Sequence, residues 1–377
     1  MPDKFNLYDV YEQNLNFLFG AGASYGFLPT LSLNISNDEG GAHTFETLAK
    51  ELDKERIDHL YTLLFMHYFK QCIYTGLPRL PKVPYPPHRV EVLKEYRIFL
   101  KTLSIVLENQ NRNDKKCNLY TTNYDSCFEI SADILISEES ISCVFNDGSS
   151  GFQQRKFHTK NFNNRVVQKG VFDKHAEYIP QVNILHPHGS VYWQKVGEEI
   201  SVDYGNTPYN IVFDEEQNRL ISEFEEIVND KNKTIQDLIL FGENQFEDWG
   251  VLRSDEFWNK YNQIPIVNPT KWKFHETVFE EAYYQILRHL SFELERPNSV
   301  LITFGFSFAD EHILHLVQRS LSNPSLTVYI SCYNDREKNE MKKKFKGYAN
   351  VKYITIDDNL TFARFNKRVF TLKKDGE

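Results

Sequence analysis

Residues 14–32 read NLNFLFGAGASYGFLPTLS. A short run built on Leu15, Phe17, Leu18 and Phe19 stops at Gly20, and three glycines and a serine fall within the seven residues that follow. The run has the length and side chains of a buried β-strand, and the glycines open a loop whose backbone can approach another surface with no Cβ in the way. A strand entering such a loop suits phosphate binding, because free N–H groups and the dipole of a following helix favour an anion. The spacing Gly20-x-Gly22-x-x-x-Gly26 departs from the G-x-G-x-x-G dinucleotide fingerprint, Pro29 follows closely, and no second strand with an acidic ribose ligand stands about 20 residues on. An ordinary dehydrogenase is therefore disfavoured. A P-loop NTPase is disfavoured too, since G-x-x-x-x-G-K-[ST] does not occur. Taken alone, the stretch also fits a tight turn with no ligand.

The same form recurs in CNLYTTNYD (117–125), VNILHPHGSVYW (182–193), SVLITFGFSFAD (299–310), LTVYISCYN (326–334) and VKYITID (351–357). Strands that are apolar throughout belong to parallel sheets covered on both faces. Between them, Val92, Tyr96, Phe99, Leu103 and Val106 recur at helical spacing, as do Ile57, Leu60, Tyr61, Leu64 and Tyr68, and Phe279, Ala282, Tyr283, Ile286, Leu287, Leu290 and Leu294. TGLPRLPKVPYPPH (75–88), with five prolines, must be a turn or extended connection. FDEEQNRLISEFEEIVNDKNKTIQD (213–237) is acidic and polar. The expected architecture is α/β: a Rossmann-like parallel sheet with helices on both faces, drawn from residues 1–29, 113–195 and 261–377. A helical insertion is expected over 30–112 and a polar peripheral insertion or lid over 196–260.

At 377 residues the chain is longer than most single domains, in keeping with a core that carries insertions. A formal charge of −9 argues against a surface that grips nucleic acid. The five cysteines, Cys72, Cys117, Cys127, Cys143 and Cys332, are widely spaced with no C-x-x-C pair, which fits reduced packing thiols and no zinc site. The N-terminus lacks a basic region followed by an apolar one, and no apolar run approaches the roughly 20 residues that span a bilayer. A soluble, cytoplasmic protein without membrane contact is the expectation.

In parallel α/β sheets ligands bind beyond the carboxyl ends of the strands. Four strand ends carry suitable groups: Gly20, Ala21, Gly22 and Ser24; Thr122, Asn123 and Asp125; His188 and Gly189; and Gly305, Ser307, Asp310 and His312. Their convergence on one crevice is the functional signal.

These four stretches together resemble the sirtuin-like superfamily, in which a GAG-S loop, a T-x-N-x-D segment, an H-G pair and a late G-x-S segment surround NAD. GFSFADEHI (305–313) and YYQILRHLSFELERPNSV (283–300) look like the prokaryotic NADases of anti-phage defence, a branch that includes partners of a HerA-type hexameric ATPase. Deacylating sirtuins carry a four-cysteine zinc module and a G-I-P-D-F-R type continuation; this chain has SYGFLPTLS and no cysteine pair. The resemblance implies an NAD glycohydrolase that releases nicotinamide and ADP-ribose and depletes NAD during infection, with NAD as substrate, no metal, a homo-oligomer and a HerA-type partner. The alternatives are a module that binds NAD or ADP-ribose without cleaving it, and a sirtuin-type deacylase or ADP-ribosyltransferase.

Cleavage of the nicotinamide–ribose bond passes through an oxocarbenium-like ribose, so the site must hold the sugar and admit one activated nucleophile. Asn123 suits the first role, since its amide both donates and accepts and can fix ribose hydroxyls or a water; on its own TNYD also fits a turn that caps local backbone. His188 suits the second as a base near neutral pH. The family pattern of glycine directly after the histidine selects it over His186, which reads as buried or turned away. Asp125 would orient a neighbour or stabilise positive charge. Gly20, Ala21, Gly22 and Ser24 would cradle the pyrophosphate through backbone N–H groups, with Thr122 beside them. Gly305 and Ser307, with Asp310 or His312, would approach the adenosine half; ADEH equally reads as the cap of a helix carrying Ile313, Leu316, Val317 and Leu321.

Overall fold

The computed structural model describes residues 5–38, 40–74, 85–169, 176–205, 211–245, 249–268 and 277–372. Seven strands form one sheet: β1 (Asn14–Phe19), β2 (Lys116–Thr121), β3 (Val144–Asn146), β4 (Gln181–Leu185), β5 (Ser299–Phe304), β6 (Thr327–Ser331) and β7 (Val351–Ile354). Their order is β7-β6-β5-β1-β2-β4-β3, and every pairing is parallel. The fold is the Rossmann-like α/β class expected from the sequence. The chain leaves β1 toward β2 and reaches its other side only at β5, so the strand order reverses between β1 and β5. That reversal is where open α/β sheets bind ligands.

Alternation along each strand builds two cores. Leu15, Phe17 and Phe19 pack with Leu119, Ile184 and Ile302 under the helices Pro87–Glu108, Cys127–Ser137 and Phe362–Arg368. Leu18, Tyr120, Leu185 and Leu301 face the other way, toward Thr277–Glu295 and Glu311–Ser320. Phe19 meets Phe99 and Phe128 edge-on at ring-centroid distances of 5.1 and 5.0 Å, the preferred geometry of aromatic pairs.

The strands are not apolar throughout. Asn16, Asn118 and Asn183 lie opposite one another across β1, β2 and β4, all buried. Asn118 donates to the Asn16 side-chain carbonyl at 2.8 Å and Asn183 donates to that of Asn118 at 2.9 Å. A buried amide is tolerated because it is hydrogen-bonded, and here the amides satisfy each other in a ladder.

The structure divides the stretch 30–112. Pro87–Glu108 is a sheet helix: Leu93, Tyr96, Phe99, Leu100 and Leu103 belong to the same core as Phe17 and Phe19. Leu33, Phe45, Leu60, Leu64 and Phe69 instead share a third core with Leu220, Ile221, Phe224, Leu238 and Phe257. Residues from both expected insertions thus form one helical layer. The proline-rich connection falls mostly on 75–84, outside the described residues. Glu215–Val228 starts at a capping box, in which Asp214 accepts from the Gln217 N–H at 2.8 Å and the Gln217 side chain accepts from the Asp214 N–H at 3.1 Å. The acidic composition of 213–237 is the outer face of this helix, whose inner stripe packs against Asp58–Tyr68. No helix among the described residues is long and apolar enough to cross a membrane.

Candidate active site at the reversal of the sheet

The glycine loop is shaped by another loop. The Gly20 N–H donates to the Phe304 carbonyl at 3.1 Å and the Gly22 N–H to the Gly305 carbonyl at 3.0 Å. Gly305 has φ +62°, and a Cβ on it would stand 2.6 Å from the Ala23 nitrogen and 2.7 Å from the Gly22 Cα. Glycine is required there on both counts. The Ala23 N–H donates to the Gly20 carbonyl and the Ser24 N–H to that of Ala21. Of the N–H groups expected to cradle a pyrophosphate, those of Gly20, Gly22 and Ser24 are engaged within the protein, and Ala21 keeps an N–H with no partner among the described residues.

The Ser24 side chain points down into a buried network. Its hydroxyl donates to Asp125 Oδ2 at 2.6 Å and lies 2.8 Å from the Tyr96 hydroxyl. Burial, reinforced by the Asp125 charge, pushes the Tyr96 phenol well above its usual range, so the phenol keeps its proton and donates to Ser24. Asn123 Nδ2 donates both to Ser24 Oγ at 2.9 Å and to the Gly20 carbonyl at 3.1 Å. With both amide hydrogens committed, the Asn123 side-chain oxygen is left as its open acceptor. Asp125 Oδ1 accepts the Cys127 N–H at 3.0 Å where the helix Cys127–Ser137 begins. Asn123 and Asp125 are 8% and 4% exposed, so the network sits at the floor of the site.

His188 follows β4. Its carbonyl accepts the Val267 N–H at 2.8 Å, and Gly189, at φ +80°, lies so close to Pro265 that a Cβ would stand 2.0 Å from the Pro265 carbonyl oxygen. The glycine after the histidine is therefore a packing necessity. His188 Nε2 stands 3.0 Å from Asp310 Oδ2. His186 is engaged elsewhere, with its Nε2 paired to Glu129 at 2.8 Å and its Nδ1 lying 3.2 Å from the Asn123 carbonyl. Burial alone would lower its pKa, but the Glu129 charge and hydrogen bond outweigh that and raise it. Its two ring nitrogens thus face a carboxylate and a carbonyl, and His186 links the Asn123 backbone to Glu129.

The family model of the SIR2-like domain matches residues 118–354. The chain belongs to the SIR2-like family. No curated protein matches it. SIR2-like proteins are in general NAD-dependent enzymes. The match begins inside β2; β1, which precedes it in the chain, lies between β2 and β5 in the sheet.

Within the sheet, register fixes which candidates meet. Phe19 lies opposite Phe304 and Thr121, and Leu185 opposite Tyr120, so the loops after β5, β1, β2 and β4 emerge side by side. Thr122 ties two of them, its N–H and hydroxyl both reaching the Phe19 carbonyl. Asp310 caps the helix Glu311–Ser320, with Oδ1 accepting from the His312 and Ile313 N–H groups, and turns Oδ2 to His188. His312 and Ser307 are exposed. The Ser307 and Phe308 carbonyls are held by Lys344 Nζ at 2.9 and 2.8 Å. An open cleft lies beside the continuation of the glycine loop, between Pro29–Leu33 and His67, Tyr68, Gln71 and Cys72; Asn123, Asp125, His188 and Asp310 do not line it. Among the described residues no group of three or more His, Cys, Asp or Glu is arranged to hold a metal.

Tyr96, Glu129 and His186 bear on the candidate residues through contacts that the sequence did not reveal. Tyr96 showed only as one member of an apolar helical stripe, and Glu129 carried no signal. His186 was visible in H-P-H-G, but its service to Asn123 requires the strand order.

Proposed function

We propose that this SIR2-like chain is an NAD glycohydrolase, producing nicotinamide and ADP-ribose, and that it serves prokaryotic anti-phage defence by depleting NAD. The observation that carries the reading is the pairing of an Asn123 whose amide hydrogens are both committed, leaving its carbonyl as an acceptor, with a His188 that keeps Nδ1 open beside it in the strand order. Asn123 Oδ1 accepts a hydrogen bond from a ribose hydroxyl or from the attacking water. The water oxygen bonds to C1′ of the ribose as the C1′–N bond breaks; the electron pair of that bond goes to the nicotinamide ring nitrogen, which leaves neutral, and the water's proton goes to His188. Asp125 acts through Ser24, holding the hydroxyl that holds Asn123. Ala21 offers its N–H to the pyrophosphate, and the Gly305–Ser307 segment borders the adenosine half.

The defence role, a homo-oligomer and a HerA-type ATPase partner rest on the resemblance of 283–313 to that branch. Lysine deacylation is disfavoured by the absence of any C-x-x-C pair for a zinc module. Product analysis separates the readings. With NAD labelled in the adenosine half, free ADP-ribose supports the hydrolase, label on an added acceptor protein supports a transferase, and thermal stabilisation by NAD with no nicotinamide formed supports a binding module.

A further inference from the structure

His188 and Asp310 are 122 residues apart, yet their side chains meet at 3.0 Å with exposures of only 18% and 12%. Among the described residues, the two oxygens of Asp310 serve different groups. Oδ1 accepts the N–H groups of His312 and Ile313, at 2.8 and 3.1 Å, at the start of Glu311–Ser320. Oδ2 is turned to His188 Nε2. A carboxylate only accepts hydrogen bonds, so the hydrogen between the two side chains belongs to Nε2, and the lone pair of the neutral ring resides on Nδ1. Nδ1 makes no hydrogen bond among the described residues, and the side chain keeps 18% exposure.

We propose that Asp310 is a positioning residue that selects the Nε2–H tautomer of His188 and thereby makes Nδ1 the nitrogen that takes the proton from water. Its role in turnover rests on the hydrolase reading above; the tautomer itself does not. The cap anchors the carboxylate: two backbone N–H groups fix Oδ1, which fixes the direction of Oδ2 and so the plane of the imidazole. When Nδ1 gains a proton, the resulting imidazolium already has a carboxylate at its other nitrogen. The late strand-end segment thus completes the acid–base group.

Two variants separate this role from helix capping. Asp310→Ser keeps a good N-cap but is too short to reach His188. Asp310→Asn must keep its carbonyl on the two N–H groups, which leaves its NH₂ toward His188 Nε2 and reverses the tautomer. Protein with ¹⁵N-labelled histidine is studied by long-range ¹H–¹⁵N correlation at alkaline pH, with the His188 signals assigned by their loss in His188→Gln. The wild type is expected to show Nε2–H and Asp310→Asn to show Nδ1–H. Both variants are expected to lose about 10²-fold in kcat for nicotinamide release, with KM little changed. An Nδ1–H tautomer in the wild type, or Asp310→Ser with wild-type kcat beside an active wild type, would overturn the proposal. The expected tautomers with no NAD turnover in any protein, wild type included, would uphold the positioning role and sink the hydrolase reading.

Discussion

Asn123 and His188 stand at the ends of neighbouring strands and are held in opposite ways. Asn123 is 8% exposed, donates twice through its side chain, and has its backbone gripped by Thr121 and His186. The His188 side chain is 18% exposed and bonds to Asp310 alone among the described residues, with one ring nitrogen left open. A group that must hold a hydroxyl in one orientation gains from being fixed on every side, because a preorganised dipole needs no rearrangement during reaction. A group that must take up and release a proton needs contact with water. Under the proposed mechanism, fold stability and chemistry on the Asn123 side depend on the same bonds, and on the His188 side they overlap less.

Substitutions ordered by their expected effect on unfolding free energy test that contrast. Gly305→Ala drives a Cβ into the glycine loop at 2.6–2.7 Å and forces φ +62°, and is expected to cost about 3 kcal/mol in urea denaturation. Gly347→Ala, at φ +95° with nothing within 4 Å, is expected to cost only the backbone strain of about 1–2 kcal/mol. Equal costs would mean that the two loops do not touch as described.

Ser24→Ala leaves the Asp125 carboxylate, the Tyr96 hydroxyl and one Asn123 amide hydrogen without their partner, and is expected to cost about 1–3 kcal/mol together with most of the nicotinamide release. Stability lost with full activity kept would break the link between network and chemistry. His186→Gln is expected to act through pH. Because the folded-state pKa of His186 is raised, its pairing with Glu129 contributes stability that is complete below the unfolded value of about 6.5 and is lost as pH rises through the raised value. The melting-temperature gap between wild type and His186→Gln should therefore be widest at low pH and narrow as pH rises. A gap that widens with pH would show that His186 is not held protonated. His188→Ala should change stability least, by about 1 kcal/mol as Asp310 Oδ2 loses this partner, while lowering nicotinamide release by about 10²–10⁴-fold.

Six of the seven strands were legible because each is a buried run ending in small or polar residues, the mark of a parallel strand feeding a loop. β3, three residues of intermediate burial, offers no such run. The asparagine ladder was not legible, since Asn16, Asn118 and Asn183 look like interruptions until register sets them opposite one another. The stripe containing Tyr96 and Phe99 announced a buried helix face but not its partner, so a helix of the sheet was grouped with the insertion before it. The acidic stretch 213–237 shows the reverse: composition reported the solvent face, while Leu220, Ile221, Phe224 and Val228 carried the packing. At the site, residue types pointed to Asn123, Asp125, His188 and Asp310, and the structure brings them to adjacent strand ends. What the residue types did not carry was which hydrogens were already in use. The glycine-loop N–H groups proved to be committed to Phe304, Gly305 and the loop itself, and Asp310 proved to face His188, because both facts depend on β5 lying beside β1.

Nicotinamide release from NAD by the purified chain, measured beside Asn123→Ala and His188→Ala with folding of each verified by melting, tests the central claim most directly. Release by the wild type, abolished in both variants, with Asn123→Ala losing more stability than His188→Ala, is the predicted result. Wild-type protein that binds NAD but releases no nicotinamide, alone or with a HerA-type ATPase, would contradict it.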